Sequence, residues 1–111
     1  MAVYTEDVEH DVVGSPGGPS EGKAAAQGFY EYLTSNVKIE DMQAAHAYHG
    51  DDFCVTEHMV KGAVPGEFIG IPGHGREVAF RLLHVFEFRD GLISRENVWL
   101  DGGAVAAQLT A

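Results

Sequence analysis

"REVAFRLLHVFEFRDGLISRENVWLD", residues 76–101, holds the clearest secondary-structure signal in the chain. Two runs rich in apolar residues flank Asp90 and Gly91. An Asp-Gly pair between two such runs is typical of a two-residue type I′ turn, which joins antiparallel strands. The segment therefore predicts a β-hairpin and, through it, a fold built around an antiparallel sheet.

The register counted back from this turn predicts which side chains share a face. If Asp90 and Gly91 are the only loop residues, Leu82 pairs with Trp99 and His84 with Asn97. Side chains alternate across a strand, so every second residue points the same way. One face of the hairpin is then predicted to carry a mainly apolar set of side chains: Phe80, Leu82, His84, Phe86, Asn97, Trp99 and Asp101.

The other segments predict a strand, a helix and a second hairpin. "DVEHDVVG" (7–14) reads as a short strand, and "SPGGPSEG" (15–22) breaks regular structure because it is rich in Gly and Pro. Ser20 is a candidate cap for a helix with its body at 23–33. "MQAAHAYHGDDFCVTEHMVKG" (42–62) contains a Gly-Asp-Asp turn between two apolar-rich strands. We predict one α+β domain spanning residues 1–111.

Composition excludes several classes of protein. The 111 residues carry 17 acidic and 7 basic side chains, a formal charge of −10, and the cations are scattered, so nucleic acid is not an expected partner. No apolar run approaches the roughly 20 residues of a membrane span, and no basic-then-apolar leader opens the chain. We expect a soluble, cytoplasmic protein without a membrane partner. The lone Cys54 excludes an intrachain disulfide and predicts a buried thiol.

Asp101 is the candidate catalytic residue of the hairpin. It follows Trp99 and Leu100 where a strand ends, and the predicted register points it at an apolar face. Such a setting disfavours the ionised carboxylate, which suits a general base near neutral pH. The alternative is that Asp101 is only a turn residue ahead of Gly102 and Gly103.

The segment "GEFIGIPGHGREVAFRLLHVFEFRDGLISRENVWLDGGAVAAQL" (66–109) resembles the SnoaL-like polyketide cyclase branch of the nuclear transport factor 2-like superfamily. The shared elements are the G-I-P-x-x-G-R loop, the F-x-F-x-D-G-x-I turn, a strand ending in aromatic-x-Asp, and a final Q-L. Upstream, the "PGG" loop, the "FY" helix and "GDDF" before a strand also fit. The order and spacing of these elements carry the resemblance.

The resemblance implies a curved antiparallel sheet with a helix packed on its concave face, forming a cone around an apolar pocket. It implies an intramolecular aldol reaction with no cofactor and no metal, and an acid-base aspartate matched in position by Asp101. It also implies about two helices before the first strand. Because "YTEDVEHDVV" follows Met1 almost at once, we expect either a truncated chain or a partner that covers the gap.

Histidines are the other candidate site residues. No pair has the i, i+4 spacing of a helical zinc site, so no metal is predicted. His84 lies on the pocket face of the predicted hairpin, as a catalytic or ligand-contacting donor or else as a core histidine bonded to a neighbour. His58 depends on the register of the first hairpin. His10 belongs to the first strand, which the resemblance places beside the last one.

Three functions remain open at this stage. The first is a cofactor-independent cyclase or isomerase that acts on an apolar carbonyl compound, with Asp101 and His84 as catalytic groups and the apolar set, His58 and His10 as substrate contacts. The second is a non-catalytic protein that binds an apolar small molecule. The third is an enzyme of the limonene-epoxide-hydrolase type, whose Asp-Arg-Asp arrangement is poorly matched by Arg81 and Arg95.

The outward face of the predicted hairpin favours self-association. It has an apolar centre with a charged rim, a composition typical of an interface. We therefore expect a homodimer through the convex face of the sheet. The residues assigned to that face are Leu83, Val85, Val98 and Leu100, with Arg81, Glu87 and Glu96 at the rim.

Overall fold

The computed structural model describes residues 2–14 and 18–111. It contains two helices, a six-stranded sheet and a small two-stranded one. The break predicted at 15–22 falls partly outside the described residues. The elements in chain order are β1 (Tyr4–Val12), β2 (Ser20–Glu21), α1 (Lys23–Asn36), β3 (Lys38–His49), β4 (Phe53–Val64), β5 (Glu67–Phe68), β6 (Ile71–Pro72), β7 (Arg76–Arg89), β8 (Leu92–Leu100) and α2 (Gly102–Leu109).

The large sheet has the strand order β2-β1-β8-β7-β4-β3. Neighbouring strands in this sheet are antiparallel, except that β1 and β8 are parallel to each other. The predicted strand, helix and two hairpins are confirmed, and β1 lies beside the last strand as expected. Register shifts within β1, β3 and β8 bend these strands, because an unpaired extra residue kinks a ladder. The α+β fold with a curved sheet is confirmed.

The turn that joins β7 to β8 has the predicted chemistry. Asp90 and Gly91 have φ angles of 54° and 78°. A type I′ turn needs a positive φ at both central residues, and Asp and Gly adopt that conformation more readily than bulkier residues do. The pairs next to the turn, Arg89 with Leu92 and Phe88 with Ile93, also match the prediction.

Beyond these two pairs the predicted register is wrong. A β-bulge leaves Ser94 without a direct partner, so Glu87 pairs with Arg95 and Leu83 with Trp99. Because side chains alternate, this one-residue shift exchanges the faces of β8 relative to β7. Trp99 and Asn97 therefore lie on the face opposite Phe80, and Glu96 and Val98 lie on the same face as Phe80.

Both helices cover one face of the sheet, which we call the concave face. The larger core lies mainly beneath α2, a helix that the sequence analysis missed. Val105 and Leu109 of α2 are fully buried. They pack on apolar side chains from the end of α1, the small hairpin and the central strands. These are Val37, which follows α1 directly, and Val60, Val64, Phe68, Val78 and Phe80.

A second, smaller core lies between α1 and β1. Its buried members are Tyr4, Val8 and Ala26, with Tyr30 packed against them. Ser20 does not cap α1, contrary to the prediction, because it pairs with His10 as part of β2. The helix starts after Gly22 without a side-chain cap, so tertiary packing rather than capping stabilises it.

The β3–β4 hairpin extends beyond the helices. All twelve residues of β3 are exposed, and β3 forms one edge of the large sheet. Cys54 on β4 is half-buried rather than buried as predicted. No helix in the described ranges is long and apolar enough to cross a membrane.

Candidate active site

Glu96 is the centre of a polar cluster on the concave face. The bulge at Ser94 turns this carboxylate inward, where its side chain has no solvent exposure. Both of its oxygens accept hydrogen bonds, Oε1 from the hydroxyl of Tyr4 and Oε2 from the hydroxyl of Tyr30. An ionised carboxylate is tolerated in a protein interior only when it is bonded in this way.

The two tyrosines reach Glu96 from different elements. Tyr4 lies on β1 and Tyr30 on α1, and their hydroxyl oxygens are 3.4 Å apart. Burial, and then the hydrogen bond to Glu96, raise the pKa of Tyr4 to about 12. The same two causes raise the pKa of Tyr30. Both phenols therefore stay protonated at neutral pH and act as donors to the carboxylate.

His84 is the titratable group that faces Glu96 from β7. Its Nε2 lies 3.5 Å from Oε2 of Glu96, and its side chain is 16% exposed. The ring stacks on Phe86 with a centroid distance of 5.2 Å. Burial lowers the pKa of His84, although the charge of Glu96 opposes this effect. The imidazole is therefore neutral at physiological pH and able to accept a proton.

His10 borders the cluster from β1. It pairs with Glu96 in the parallel register and is 3% exposed, with its ring 5.0 Å from that of Phe29. Burial lowers its pKa, again opposed by Glu96. No hydrogen-bond partner for His10 Nε2 occurs among the described residues. His10 was expected on a strand beside the last one, which is confirmed, and the carboxylate that it borders there is Glu96.

Thr56 and His58 border the cluster from β4. Thr56 pairs with His84, and His58 pairs with Leu82. Thr56 Oγ1 and His58 Nδ1 are buried, and neither has a partner among the residues that the structure describes. His58 was a predicted substrate contact, and its register places it on the same face as His84.

Asp101 does not share this environment. Its side chain is exposed and caps α2, accepting a 3.1 Å hydrogen bond from the backbone N–H of Ala104. The prediction that Asp101 lies in apolar surroundings is therefore wrong, because the bulge shifts the register of β8 and α2 begins directly after Asp101. The role of Asp101 as a general base stays a prediction.

Trp99 and Asn97 lie on the convex face, so their predicted place beside Phe80 is wrong. Trp99 is 50% exposed and its indole N–H donates to the side-chain carbonyl of Asn97. The Asn97 amide in turn donates to Asp11 at 3.1 Å. The register shift at Ser94 accounts for both displacements.

The three predicted apolar contacts have different positions. Phe80 is buried in the larger core, 5.5 Å from the ring of Phe68, and Leu82 packs at the edge of that core. Phe86 contacts His84. Phe86 therefore adjoins the polar cluster at His84, and Leu82 adjoins it opposite His58, whereas Phe80 belongs to the core.

The cluster can perform proton transfer. It combines a fixed carboxylate, a neutral imidazole and two phenolic donors in a largely buried setting. Within the described ranges, no three His, Cys, Asp or Glu side chains converge so as to hold a metal ion. Two open depressions lie away from this cluster, one lined by Asp52, Phe53 and Glu87, the other by Glu40, Lys61 and Gln108.

Four residues of the cluster were not predicted from the sequence: Glu96, Tyr4, Tyr30 and Thr56. A carboxylate in the middle of an apolar strand was the available signal for Glu96. The register predicted without a bulge, however, assigned Glu96 to the rim of the convex face. The two tyrosines approach it only through tertiary packing of β1 and α1, which no local pattern reveals.

A family model described as SnoaL-like polyketide cyclase matches residues 2–109. No curated protein sequence matches significantly.

Similar folds occur in solved structures. A candidate SnoaL-like polyketide cyclase from Jannaschia sp. CCS1 has a TM-score of 0.86 at 20% identity, over 99% of this chain and 75% of that one. TsrD from Streptomyces laurentii has a TM-score of 0.82 at 20% identity, over 97% and 78%. A candidate polyketide cyclase from Xanthomonas campestris pv. campestris has 0.81 at 23%, over 97% and 80%. At such identities the likeness shows the fold.

Proposed function

Because the chain belongs to the SnoaL-like polyketide cyclase family, we propose that it is a cofactor-independent cyclase or isomerase acting on an apolar carbonyl compound. The observation that carries the proposal is the buried pair of Glu96 and His84. General acid-base catalysis at carbon needs a base with a pKa near the working pH, positioned within reach of the proton that it removes. A neutral imidazole can be that base, and a carboxylate beside it stabilises the cation formed.

His84 is the proton acceptor in this mechanism. Its Nε2 faces Glu96 at 3.5 Å, so a proton on Nε2 leaves the lone pair on Nδ1. The Cα–H bond of the substrate breaks, the proton passes to Nδ1, and the electron pair moves to the carbonyl oxygen as an enolate. Glu96 then stabilises the imidazolium, and Tyr4 and Tyr30 hold Glu96 in place.

The fate of the enolate separates the two reactions. In an isomerase, His84 returns the proton to a different carbon of the same substrate. In a cyclase, the enolate carbon forms a bond to a second carbonyl of the same molecule, and the proton on His84 neutralises the resulting alkoxide. Both sequences regenerate the neutral imidazole and consume no oxidant or reductant.

Exchange of a carbon-bound proton tests this assignment. The α-protons of 2-tetralone, a flat apolar ketone, would be followed by NMR in deuterated water. We expect the protein to accelerate exchange and expect His84→Ala and Glu96→Gln each to lose about 100- to 10,000-fold of that acceleration, the usual contribution of a positioned acid or base.

Asp101→Asn is the matched control. Asn caps a helix about as well as Asp, so this variant should keep both fold and exchange activity. If Asp101→Asn abolishes exchange while His84→Ala retains it, the base is Asp101, as the sequence resemblance implies. Exchange that survives in all three variants would sink the acid-base mechanism.

A non-catalytic binding protein is the second candidate. Residues of β3 and β4 beyond the helices leave part of the concave face open to water, and proton transfer at carbon usually needs water to be excluded. A wild-type protein that binds 2-tetralone without accelerating exchange would favour this candidate. The epoxide-hydrolase alternative is not proposed, because Arg95 pairs with Glu9 and Glu87, away from Glu96.

A further inference from the structure

β3 is a long strand whose outer edge pairs with no other strand in the described part of the chain. It forms one end of the six-stranded sheet, and the other end is β2, a strand of only two residues. All twelve residues of β3 are exposed. A strand in this position presents a row of backbone N–H and C=O groups that can pair with a further strand. β3 is therefore the place where another chain can extend the sheet.

β3 lacks most of the features that block such pairing. Native edge strands are protected by being short, by proline and by charged side chains, chiefly lysine. β3 contains no proline, and its one lysine, Lys38, is its first residue. Its two bulges, at Glu40 and Ala45, leave the stretches 41–44 and 46–49 in regular register. Each stretch can form a ladder with a short extended peptide.

A depression beside the start of β3 carries excess negative charge. Its volume is about 490 Å³, and its lining includes Glu40, Asp41 and Glu77 with a single cation, Lys61. None of these four side chains forms an ion pair within the described ranges. Carboxylates that no cation neutralises attract positive charge, and the whole chain has a formal charge of −10. The depression therefore favours a cationic group.

The first bulge of β3 and two small residues shape this depression. Glu40 is the extra residue of that bulge, and a bulge changes the direction of the side chain that it carries. A Cβ at Gly62 would lie 2.4 Å from the backbone oxygen of Lys38, so only glycine lets β3 approach β4 this closely. The partner of Lys61 on β7 is Ala79, whose small side chain keeps the depression open. Its shape is thus fixed by the packing of three strands.

The depression lies beside the path of a strand added to β3. Asp41 pairs with Lys61, so their side chains share a face of the sheet. Lys61 is four residues from Glu57, the partner of Leu83, a separation of roughly 13 Å along the strand. The depression is therefore distinct from the apolar surface around Leu83 and Trp99. Neighbouring strands are about 4.8 Å apart, and the long stem of a lysine or arginine side chain can cross one strand.

We propose that the edge of β3 binds an extended basic peptide of another protein, which adds a seventh strand to the six-stranded sheet. A lysine or arginine side chain of this peptide occupies the depression lined by Glu40, Asp41 and Glu77. In this mode of recognition, main-chain hydrogen bonds provide affinity and pockets for alternate side chains provide selectivity. Strand addition at β3 uses no residue of the Glu96 cluster, so it is independent of the proposed function.

Three synthetic peptides test the charge and the backbone contributions separately. The first is fluorescein-labelled Val-Arg-Val-Thr-Val-Arg-Val-Thr. The second has citrulline, a neutral isostere of arginine, at both arginine positions. The third keeps the arginines and carries N-methyl groups on every backbone nitrogen between its first and last residues.

Fluorescence anisotropy at low salt measures the three affinities. We expect the first peptide to bind at least about fivefold more tightly than the second, because each surface ion pair contributes up to about that factor. Added salt should reduce this advantage. The third peptide should bind at least about tenfold more weakly than the first, because it cannot donate the hydrogen bonds of a ladder. Binding of the first peptide should also slow hydrogen exchange at the backbone amides of β3.

Two pairs of substitutions locate the binding site. Glu40→Gln combined with Glu77→Gln removes two charges from the depression and should lower the preference for arginine over citrulline by at least about threefold. Glu21→Gln combined with Glu31→Gln removes the same charge from β2 and α1. This matched control should leave the preference unchanged. Circular dichroism checks that both variants fold.

Three results would overturn the assignment. If the control lowers the arginine preference as much as the Glu40 and Glu77 variant does, the attraction is a property of the acidic surface as a whole. If the first and third peptides bind equally, no strand is added. If the amides of β3 become protected as the protein concentration rises without any peptide, the occupant of the edge is a second copy of this chain.

Discussion

At the scale of single residues, Glu96 determines the chemistry of the concave face. A buried carboxylate without partners would be strongly destabilising, yet two phenols and an imidazole surround this one. The arrangement places a hydrogen-bonded carboxyl group next to a neutral base. The charge favours protonation of His84 at the moment when the ring receives a proton, whereas burial keeps the ring neutral beforehand.

Removing one phenol should show how much the charge depends on its donors. Tyr30→Phe leaves Glu96 with one donor fewer, and a hydrogen bond to a charged group contributes about 1.5–3 kcal/mol. We expect the free energy of unfolding in urea to fall by that amount. Tyr32→Phe is the matched control, because Tyr32 is exposed and its 3.3 Å contact with Glu67 lies at the surface. An equal loss in both variants would contradict the central role of Glu96.

Two histidines should make stability depend on pH. Burial is the main cause that lowers the pKa of His84 and of His10 in the folded protein. The unfolded chain then binds protons more tightly, so their contribution to stability is present above about pH 6.5 and is lost as the pH falls towards the folded-state values. Urea midpoints measured from neutral to mildly acidic pH should decline over this window.

Variants assign that decline to its source. His84→Gln and His10→Gln should each make the decline shallower, whereas His46→Gln, at an exposed position, should leave its slope unchanged. A slope that neither His84→Gln nor His10→Gln alters would show that carboxylates alone cause the acid sensitivity.

The residues that could be predicted are those fixed by local pattern. His84 was placed on the face of Phe80 and Phe86 because alternation within a strand is independent of its neighbours. Glu96 could not be placed, because its face depends on a bulge at Ser94 that no turn or breaker residue marks. The cluster as a whole depends on α1 and β1 packing over β8, which is set by the tertiary fold.

At the scale of elements, the two hairpin turns were predictable and the last helix was not. Asp90-Gly91 determines its turn by backbone conformation alone. The segment of α2 begins with two glycines, poor helix formers, and has only eight residues, too few for a helix to be stable by itself. Its stability comes from the burial of Val105 and Leu109 and from a double hydrogen bond between the Gln108 side chain and the backbone of Ala79.

Asp101 should affect stability through its cap. Asp101→Ala removes the acceptor of the Ala104 N–H, a change that costs about 0.5–2 kcal/mol at a helix N-terminus. Asp101→Asn should be nearly neutral, because Asn caps equally well. Thermal unfolding of the two variants measures the difference. If both are as stable as the wild-type protein, the cap contributes nothing and another explanation for this carboxylate is needed.

At the scale of the whole molecule, the convex face carries an uncovered apolar patch. Both helices pack on the concave side, and Trp99, Leu83 and Val85 lie on the other. The predicted homodimer face was partly wrong, since Val98 is 3% exposed and Leu100 packs against the larger core. Because of the bulge, Trp99 lies on the convex face in place of those two residues. Its side chain is larger than either and is half exposed.

We therefore expect a homodimer through the convex face, centred on Trp99. Trp99 is half exposed and Leu83 and Val85 are partly exposed, so a second copy would remove further apolar surface from water, which is favourable by about 25 cal/mol per Å². Arg95, held among Glu9, Asp11 and Glu87, provides a charged rim. Sedimentation velocity at micromolar concentration should show a dimer for the wild-type chain and a folded monomer for Trp99→Glu and Val85→Glu.

Val98→Glu distinguishes the two faces. If the hairpin had no bulge at Ser94, Val98 would lie on the dimer face, and its replacement by glutamate would only dissociate the dimer. In the structure Val98 points into the concave interior, so a glutamate there would bury an unpaired charge beside Glu96 and should unfold the chain. If the Val98→Glu protein is folded and monomeric, the result would support the hairpin register without the bulge. If the wild-type chain sediments as a monomer, the prediction of a homodimer is wrong. The exposure of Trp99 would then need another explanation.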